Sequence, residues 1–540
     1  MNAKMNPDRH DDTLLAALRD PSLYPGRPSR VEVRQTHISW VFLAEDLVYK
    51  LKKPVCFEFV DYSTPELRLE CCRAEVTLNR RLARSIYLGV APILRHAGSF
   101  QLGAVDAPDA GEAIDHLVVM RRLPEKRMLD RMIAAGEAGA PDLGRLAAKL
   151  AAFHEACPDR GDRYGSLAAI REAVCGNLAE CGTAAGETFD EPSRSVVGTF
   201  IDRYLAEHES LFAERAAAGR IRDGHGDLRA EHVCLTDDLD VFDCVEFSER
   251  LRSADVASEI AFLAMDLDFL GEPVLADGFA GSYAHLAGDA ALLSMQRFYR
   301  CHRALVRGKV ECLRSSEPEV AEDDRASARE ASRRYFRLAA RYGRGPISPE
   351  LVVVCGLSGT GKSTVARMVG DITGFAAVRS DAVRKDLAGV PRFAHPEGAA
   401  AESLYDAETT RATYEELRRR ARSTLRAGYG VVLDATFRDP DECRRVVELA
   451  GDENVPVSFL ECRASSPEVL RRLRARRAAV NEASDADTEV YLRQRDEAVD
   501  FEDLPSAVHH FVDTERPRER IERDLDALFV ERTPRDRFAR

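Results

Sequence analysis

The sequence predicts two domains: an α+β domain with two lobes, followed by an α/β domain in which helices cover a parallel sheet. Three features of the chain predict this class. About the first 120 residues are rich in strand-forming segments such as VEVRQTHISWVFLAEDLVYKLKK, and the residues from about 125 to 340 follow a mostly helical pattern. After residue 350, short apolar runs alternate with amphipathic helices, which is typical of a parallel sheet buried on both faces.

The expected domain limits follow from these shifts along the chain. The segment RYGRGPISPE contains glycine and proline residues that break a long charged helix just before the apolar strand LVVVC. We therefore expect the first domain to occupy residues 1–344, with lobes at about 1–123 and 124–344. The second domain is expected at residues 345–540.

The composition excludes some classes of protein. The 540 residues carry 77 basic and 91 acidic side chains, a formal net charge of −14, and 45% of the residues are hydrophobic. This balance excludes wholesale disorder. It also argues against nucleic-acid binding through bulk charge, so that only a local arginine patch could serve such a partner.

The sequence also predicts the compartment. It contains no uncharged apolar stretch of the roughly 18 residues that a membrane span needs, and its N-terminus lacks the apolar region of a secretory signal. The 13 cysteines are scattered and form no C-x-x-C pair. We expect a cytoplasmic protein with reduced thiols and no membrane partner, whose oligomeric state the sequence leaves open.

The segment GLSGTGKST is the strongest motif in the chain. It follows a predicted buried strand and opens a predicted helix, so that its glycines let the backbone wrap around phosphates while helix N-terminal amides point at the anion. Lys362 is expected to bridge the β- and γ-phosphates of ATP, and the Ser363 hydroxyl to bind Mg²⁺. The residues expected to hold this nucleotide are Gly356, Ser358, Gly359, Thr360, Gly361, Lys362, Ser363 and Thr364.

Further charged residues follow the next predicted strands. Asp434 ends the strand in VVLDATF, where a carboxylate can face the metal. Asp381 and Arg384, in SDAVR, lie one helical turn apart at the carboxyl edge of the sheet, where the aspartate can accept a hydroxyl proton and the arginine can hold a phosphate. The helix PEVLRRLRARR carries Arg472 and Arg476, which are interpreted either as a lid over ATP or as a solvated face.

The motifs GLSGTGKST, SDAVRKDL, LDATF and FLEC resemble the small kinases of the P-loop class that are related to polynucleotide kinase and gluconokinase-type enzymes. The resemblance covers about residues 350–530. It implies phosphoryl transfer from ATP to a hydroxyl, with Asp381 as the candidate base and Arg384 on the acceptor or a phosphate. It also implies that Arg472 and Arg476 belong to the lid.

A second constellation lies in the first domain. The sequence HGDLRAEH is followed by VFD, which places Asp227 and Asp243 on a predicted loop and a predicted strand end. The pattern HGDL…H…VFDCVEF resembles the aminoglycoside phosphotransferase-like kinases, which are protein-kinase-like, over most of residues 30–310. The resemblance implies that Asp227 positions the nucleophilic hydroxyl and that Asp243 holds Mg²⁺ against the phosphates. His232 stands where the family has a metal-binding asparagine.

The same resemblance assigns three residues of the smaller lobe. It implies that Lys50, in LVYKLKK, binds phosphate and that Glu75 is its ion-pair partner. Lys52 would share a face of the strand with Lys50, and the motif favours Lys50. VVMRRLP, with Met120, resembles the adenine-binding hinge between lobes. No glycine-rich loop precedes Lys50, where THISWVFLAED stands instead.

These observations leave three hypotheses open. The first is a bifunctional enzyme with two sites that transfer the γ-phosphate of ATP to hydroxyls of small-molecule acceptors. The second is a first domain that binds ATP or another ligand in a regulatory role, while the P-loop half alone is active. The third is a nucleic-acid end kinase, which the net charge of −14 disfavours.

Overall fold

A computed structural model describes residues 12–57, 60–96, 98–107, 113–184, 188–317, 320–394, 396, 403–476, 488–496 and 508–530. The strands are β1 Glu32–Gln35, β2 Ser39–Ala44, β3 Leu47–Lys52, β4 Cys56–Phe57, β5 Val60–Asp61, β6 Tyr87–His96, β7 Ser99–Leu102, β8 Ala113–Arg121, β9 Ile221–Asp223, β10 Val233–Cys234, β11 Asp240–Val241, β12 Ser253–Asp255, β13 Leu351–Cys355, β14 Ala376–Arg379, β15 Val431–Asp434, β16 Val457–Arg463 and β17 His509–Asp513.

The helices alternate with these strands in the second domain and dominate the middle of the chain. They are α1 Asp12–Leu18, α2 Pro65–Asn79, α3 Leu129–Ala135, α4 Ala140–Ala156, α5 Gly161–Tyr164, α6 Leu167–Ala184, α7 Glu191–Glu207, α8 Glu209–Ala217, α9 Glu249–Arg252, α10 Val256–Phe269, α11 Pro273–Leu286, α12 Leu292–Ser315, α13 Glu322–Arg344, α14 Lys362–Thr373, α15 Ser380–Ala388, α16 Ala407–Arg426, α17 Pro440–Asp452, α18 Ser466–Arg476, α19 Thr488–Asp496 and α20 Arg518–Phe529.

The smaller lobe is a six-stranded antiparallel sheet in the order β1-β2-β3-β8-β6-β7. Helix α2 begins after Thr64, whose hydroxyl caps the backbone N–H of Leu67, and it packs against β6 and β8. The centre of the sheet is β3 paired with β8, in which Lys50 lies opposite Val118. Lys50 and Lys52 of β3 therefore face α2 and the helical lobe that follows, whereas Tyr49 and Leu51 pack on the opposite face with α1.

The larger lobe is built around helix α10. Every residue from Val256 to Asp268 is buried, because the helix is enclosed by the other elements of the lobe, including α11 and α12. Two short antiparallel pairs, β9 with β12 and β10 with β11, hold the segment between His225 and Asp243 against this helix. Glu259 and Asp266 of α10 thus contact the backbone of this segment.

The second domain is a five-stranded sheet in the order β14-β15-β13-β16-β17, with all pairs parallel. All five residues of the central strand LVVVC are buried. Val352 and Val354 face α14 and α20, whereas Leu351 and Val353 face α16 and α17, so helices cover both faces. The predicted fold class, a two-lobed α+β domain followed by an α/β domain with a covered parallel sheet, is confirmed.

Helix α13 connects the two halves. It packs along α12, contacts α14 of the second domain and ends at Arg344, and β13 begins at Leu351. The exact domain limits stay a prediction. Within the described ranges, none of the helices combines the length and the apolar character that crossing a bilayer requires.

Candidate active sites

Three charged side chains from separate elements meet between the two lobes of the first domain. Lys50 lies in β3, Glu75 in α2, and Asp243 two residues beyond β11. The Lys50 Nζ atom lies 2.9 Å from Glu75 Oε1 and 2.9 Å from Asp243 Oδ1. Burial disfavours the ammonium ion, but the charges of Asp243 and Glu75 outweigh this effect and raise the pKa of Lys50 well above its usual value. The site therefore holds a fixed cation between two carboxylates.

A second lysine of β3 enlarges this network. Lys52 is fully buried, and its Nζ atom lies 2.8 Å from Glu75 Oε2 and also contacts the Glu246 carboxylate. The Tyr62 hydroxyl donates a hydrogen bond of 2.6 Å to Glu246. Glu75 thus bridges both lysines of the strand. Sequence reasoning missed Glu246, although the signal was a carboxylate three residues after Asp243.

The segment from His225 to His232, here called the HGD loop, follows β9. Asp227 accepts hydrogen bonds of 3.2 and 3.3 Å from Arg229 Nε, and its own N–H donates to His225 Nδ1 at 3.3 Å. Burial favours the neutral carboxyl, but Arg229 and His232 outweigh it and lower the pKa of Asp227. Asp227 is therefore an ionised hydrogen-bond acceptor at neutral pH. Arg229, two residues further on, is a site residue that sequence reasoning missed.

His232 stands between the two carboxylates of the first site. Its nitrogens lie 3.5 Å from Asp227 Oδ2 and 3.6 Å from Asp243 Oδ2. Its Nδ1 atom lies 2.8 Å from the Asp227 carbonyl oxygen, and its Nε2 atom lies 3.1 Å from Arg229 Nη2. Because a guanidinium only donates, Nε2 accepts and Nδ1 carries the proton. The role of His232 as a metal ligand stays a prediction, and Asp243 offers the oxygen donor that Mg²⁺ prefers.

Helix α10 supports the HGD loop at both ends. Glu259 accepts hydrogen bonds from the N–H groups of His225, at 2.8 Å, and of the glycine that follows, at 3.2 Å. Burial opposes ionisation of Glu259, but its 2.9 Å contact with His154 prevails and lowers the pKa of Glu259 to about 2. At the other end, Asp266 Oδ2 accepts from the Ala230 N–H at 2.9 Å. The loop conformation is therefore fixed by buried carboxylates.

Two buried histidines make the stability of the protein depend on pH. Burial lowers the pKa of His225 to about 4 and that of His302 to about 3. Unfolded histidine binds its proton near pH 6.5, so below this pH the unfolded chain takes up protons that the folded chain does not. Each histidine therefore contributes a fall in the free energy of unfolding of about 1.4 kcal/mol per pH unit between about pH 6.5 and 4, whereas Glu272, whose pKa burial raises to about 7, contributes a change of opposite sign.

Urea unfolding from about pH 7 to about pH 5 measures this slope. His302→Gln is expected to remove the contribution of one histidine from the slope of the free energy of unfolding against pH. A slope that stays the same in this variant would contradict the prediction.

In the second domain, the P-loop segment 356–364 turns from β13 into α14. Gly361, which precedes the helix, has a φ of +95°, a conformation that favours glycine. A Cβ atom on Gly356 would lie 2.5 Å from the carbonyl oxygen of Cys462 in β16. The tight turn thus requires glycine for two different reasons, backbone conformation and space.

Lys362 and Thr360 both point towards one carbonyl of the loop. Lys362 Nζ lies 2.9 Å from the Leu357 oxygen, and the Thr360 hydroxyl donates to the same oxygen at 2.7 Å. The Ser358 N–H donates to Gln494 Oε1 of α19 at 2.9 Å. The ammonium group of Lys362 is therefore held against the loop, beside backbone that can surround a phosphate.

Ser363 and Asp434 face a common space beside the P-loop. Arg379, the last residue of β14, lies opposite Asp434 in the sheet. Its Nε atom lies 3.5 Å from Asp434 Oδ2, and its Nη2 atom lies 3.4 Å from Ser363 Oγ. One guanidinium thus contacts both groups that were predicted to bind metal. Sequence reasoning missed Arg379, although it directly precedes the SDAVR motif.

The donors present fit a nucleotide-bound Mg²⁺ ion. Over the described part of the chain, no group of three or more His, Cys, Asp or Glu side chains is arranged to hold a metal ion. Mg²⁺ that accompanies a nucleotide usually takes one or two protein carboxylates, and phosphate oxygens and waters complete its shell. Asp243 in the first site, and Ser363 with Asp434 in the second, supply such partial donor sets.

A cavity of about 350 Å³ opens next to the P-loop, between α14, α18 and the end of β17. Arg472 of α18 lines it and donates to Thr514 Oγ1 at 2.9 Å and to Thr514 O at 2.7 Å. Thr514 Oγ1 in turn donates to the Thr360 carbonyl at 2.7 Å. Arg472 is therefore fixed beside the P-loop. Arg476 ends the same helix, and its side chain lies outside the described residues.

The SDAVR element forms the start of α15. Asp381 lies in its first turn and is half-buried. Arg384 is buried, donates to the Leu404 carbonyl at 2.7 Å and to Thr410 Oγ1 at 3.2 Å, and stacks 4.8 Å over the Tyr405 ring. The described contacts of Arg384 thus join α15 to α16 and to the segment before it. Its predicted role at an acceptor or phosphate stays a prediction.

Met120 lies near the end of β8, opposite Val48 and Tyr87 in the sheet. It is half-buried and packs into the apolar cluster under α2, to which Leu123 and Phe242 also belong. Phe242 directly precedes Asp243. The predicted hinge strand and the segment that carries the metal-binding candidate thus pack against the same apolar cluster.

The fold and the two sites define the class: a two-lobed α+β domain that joins Lys50, Glu75 and Asp243, and an α/β domain with a P-loop, in one chain. The AAA domain family model matches residues 351–500. The uncharacterized protein Rv2004c of Mycobacterium tuberculosis is 34% identical over 495 residues, which cover 91% of this chain and 93% of that protein. The uncharacterized protein Mb2027c of Mycobacterium bovis matches with the same identity and coverage. The chain belongs to the family of these mycobacterial proteins.

Solved structures with related folds cover the two halves separately. A choline kinase from Cryptosporidium parvum is 11% identical and covers 61% of this chain and 95% of its own, with a TM-score of 0.35. The aminoglycoside phosphotransferase APH(3'')-Id from Streptomyces rimosus is 16% identical and covers 55% and 97%, with a TM-score of 0.32. A gluconokinase from Sinorhizobium meliloti is 18% identical and covers 34% and 91%, with a TM-score of 0.25.

Proposed function

We propose that the protein is a bifunctional, ATP-dependent phosphotransferase of the cytoplasm, in which each domain transfers the γ-phosphate of ATP to a hydroxyl of a small-molecule acceptor. The observation that carries the proposal is the position of Lys50 Nζ, 2.9 Å from both Glu75 and Asp243. A lysine ordered by a buried carboxylate and joined to a metal-binding candidate is the arrangement that phosphate binding needs. The first site has this arrangement although it lacks a glycine-rich loop.

In the first site, Asp227 accepts a hydrogen bond from the acceptor hydroxyl and orients its oxygen. That oxygen bonds to the γ-phosphorus, the bond from phosphorus to the bridging oxygen of ADP breaks, and the hydroxyl proton passes to Asp227. The lowered pKa of Asp227 makes it a weak base, which suits a loose transition state in which the proton moves late. Arg229, in contact with this carboxylate, lies where it can stabilise charge that develops on the phosphoryl group.

In the second site, the P-loop amides and Lys362 bind the phosphates, and Arg472 borders the cavity that the remainder of the nucleotide enters. Asp381 is the candidate that receives the proton of the acceptor. Bound with ATP, Mg²⁺ would neutralise the β- and γ-phosphates, held by Asp243 in one site and by Ser363 and Asp434 in the other.

The regulatory and nucleic-acid hypotheses stay distinct alternatives. In α18, Arg471 and Arg472 are both paired with Glu468 at 2.7 Å, which reduces the positive charge available to a polynucleotide. This pairing favours small-molecule acceptors over a nucleic-acid end.

The two activities are separated by site variants. In an Asp227→Asn background, Lys362→Ala is expected to lower the remaining ATP turnover by about 10²-fold, because it removes one preorganised cation from the phosphates. The measurement is ADP release over time with ATP in excess. Arg367→Ala, elsewhere on α14, is the control and is expected to retain the turnover. If Lys362→Ala left turnover unchanged, the proposed activity of the second site would be wrong.

A further inference from the structure

Helix α13 makes a two-point ion pair with the helix that begins at the P-loop. Arg334 Nε lies 2.9 Å from Asp371 Oδ2, and Arg334 Nη2 lies 3.1 Å from Asp371 Oδ1. Asp371 belongs to α14, whose first residue is Lys362. The two side chains are only 17% and 12% exposed, so solvent screens this pair weakly.

The same guanidinium is fixed on its other side to the first domain. Arg334 Nη2 also donates to the Phe269 carbonyl at 2.8 Å, and the guanidinium carbon lies 4.0 Å from the centre of the Phe269 ring. The Phe269 ring stacks on Tyr335 with a centroid distance of 3.9 Å and an angle of 12°. Arg334 thus ties the end of α10 to α14.

From Tyr335 the contacts continue into the HGD loop. The Tyr335 hydroxyl donates to Asp266 Oδ1 at 3.3 Å, and Asp266 Oδ2 accepts from the Ala230 N–H at 2.9 Å. Ala230 is fully buried and lies between Asp227 and His232. A short series of hydrogen bonds, ring contacts and one ion pair therefore connects the P-loop helix to the backbone beside Asp227.

We infer that Arg334 is a positioning residue through which the second domain holds the HGD loop of the first domain in its working conformation. The inference rests on the proposed function, because it concerns phosphoryl transfer at the first site. In this view Asp371 acts on the first site without touching it: it orients Arg334, which packs Phe269 and Tyr335, and Tyr335 orients the Asp266 carboxylate that holds Ala230. Because each contact is buried or half-buried, water cannot replace a lost contact. Loss of the ion pair therefore shifts each following side chain in the series, as far as the Asp266 carboxylate.

Helix α13 also provides a matched control. Arg333, the preceding residue, pairs with Glu519 of the second domain at 3.1 Å, but these side chains are 35% and 60% exposed. Asp371→Asn and Glu519→Gln therefore make the same chemical change, acid to amide, opposite neighbouring arginines of one helix. Only the first is connected to the HGD loop through the described contacts.

The experiment uses the full chain in a Lys362→Ala background, so that ADP release reports the first site. We expect Asp371→Asn to lower kcat about fivefold while the KM for ATP changes less than about twofold, because Lys50 and Asp243 are left in place. Hydrogen exchange at the Ala230 amide should accelerate by a similar factor. Glu519→Gln should change neither kcat nor hydrogen exchange at the Ala230 amide. Tyr335→Phe should reproduce the effect, and the double variant Asp371→Asn, Tyr335→Phe should be less than additive.

The inference is overturned if Asp371→Asn behaves like Glu519→Gln in exchange at Ala230. It is also overturned if exchange accelerates while kcat stays unchanged. This second outcome applies once loss of ADP release in Asp227→Asn has shown that the first site turns over ATP. If Asp227→Asn leaves ADP release unaltered, the proposed function of the first site fails, and exchange at Ala230 still decides whether Asp371 holds the loop. Unfolding midpoints of all variants exclude loss of folded protein as the cause.

Discussion

Asp227→Asn is expected to lower ATP turnover at the first site by about 10²- to 10⁴-fold, the range for loss of a positioned general base. The amide keeps the size of the side chain, but its NH₂ group cannot accept the proton of an acceptor hydroxyl. The substitution also removes the negative charge that Arg229 contacts at 3.2 Å. The guanidinium keeps Glu231 as a partner but loses one competing charge and can bind a phosphate more tightly, so ATP binding should persist while turnover is lost.

The measurement is ADP release in a Lys362→Ala background, together with ATP binding by calorimetry. Glu231→Gln is the control, because Glu231 also pairs with Arg229 but its side chain is 52% exposed. This variant tests whether disturbing Arg229 alone explains the loss, and we expect it to retain most of the turnover. Retention of turnover by Asp227→Asn together with unchanged ATP binding would identify the first domain as the regulatory, ligand-binding module.

The second domain was predictable from the sequence because its signals are local. The P-loop residues are consecutive, so a single segment contains both the glycines that shape the turn and Lys362, the candidate for phosphate binding. The apolar strand before it and the alternation after it fix a parallel sheet without knowledge of any distant contact. The predicted strands LVVVC and VVLDATF occur in the structure as β13 and β15.

The residues that sequence reasoning missed are defined by distant partners. Glu246 contacts Lys52 although 194 positions separate them, and nothing in the local pattern around Glu246 shows that it reaches a lysine of β3. Strand alternation put the two lysines of β3 on one face, and a motif was needed to rank them. Arg379 is similar: its contact with Ser363 depends on the order of strands in the sheet. A single sequence does not contain that order.

Glu75→Gln is expected to destabilise the protein by about 3–5 kcal/mol, the cost of removing one partner from a buried ion-pair network. Glu75 is fully buried and contacts Lys50 at 2.9 Å and Lys52 at 2.8 Å, so the substitution leaves both ammonium groups with one carboxylate fewer. Each lysine keeps a single carboxylate partner, Asp243 or Glu246, from the larger lobe. Contact between the lobes should therefore weaken together with the smaller lobe itself.

The pH dependence tests this explanation against a simple packing defect. Burial opposes ionisation of Glu75, but Lys50 and Lys52 outweigh it and lower the pKa of Glu75. Its charge therefore stabilises the fold above the unfolded pKa of about 4.5, and this stabilisation is lost as pH falls through the lower folded value. Urea unfolding of the parent and of Glu75→Gln should differ most near neutral pH and converge in acid. Glu70→Gln, an exposed change on α2, should leave stability nearly unchanged at every pH. A difference that stayed constant with pH would indicate that packing, and not the charge of Glu75, supports the lysine pair.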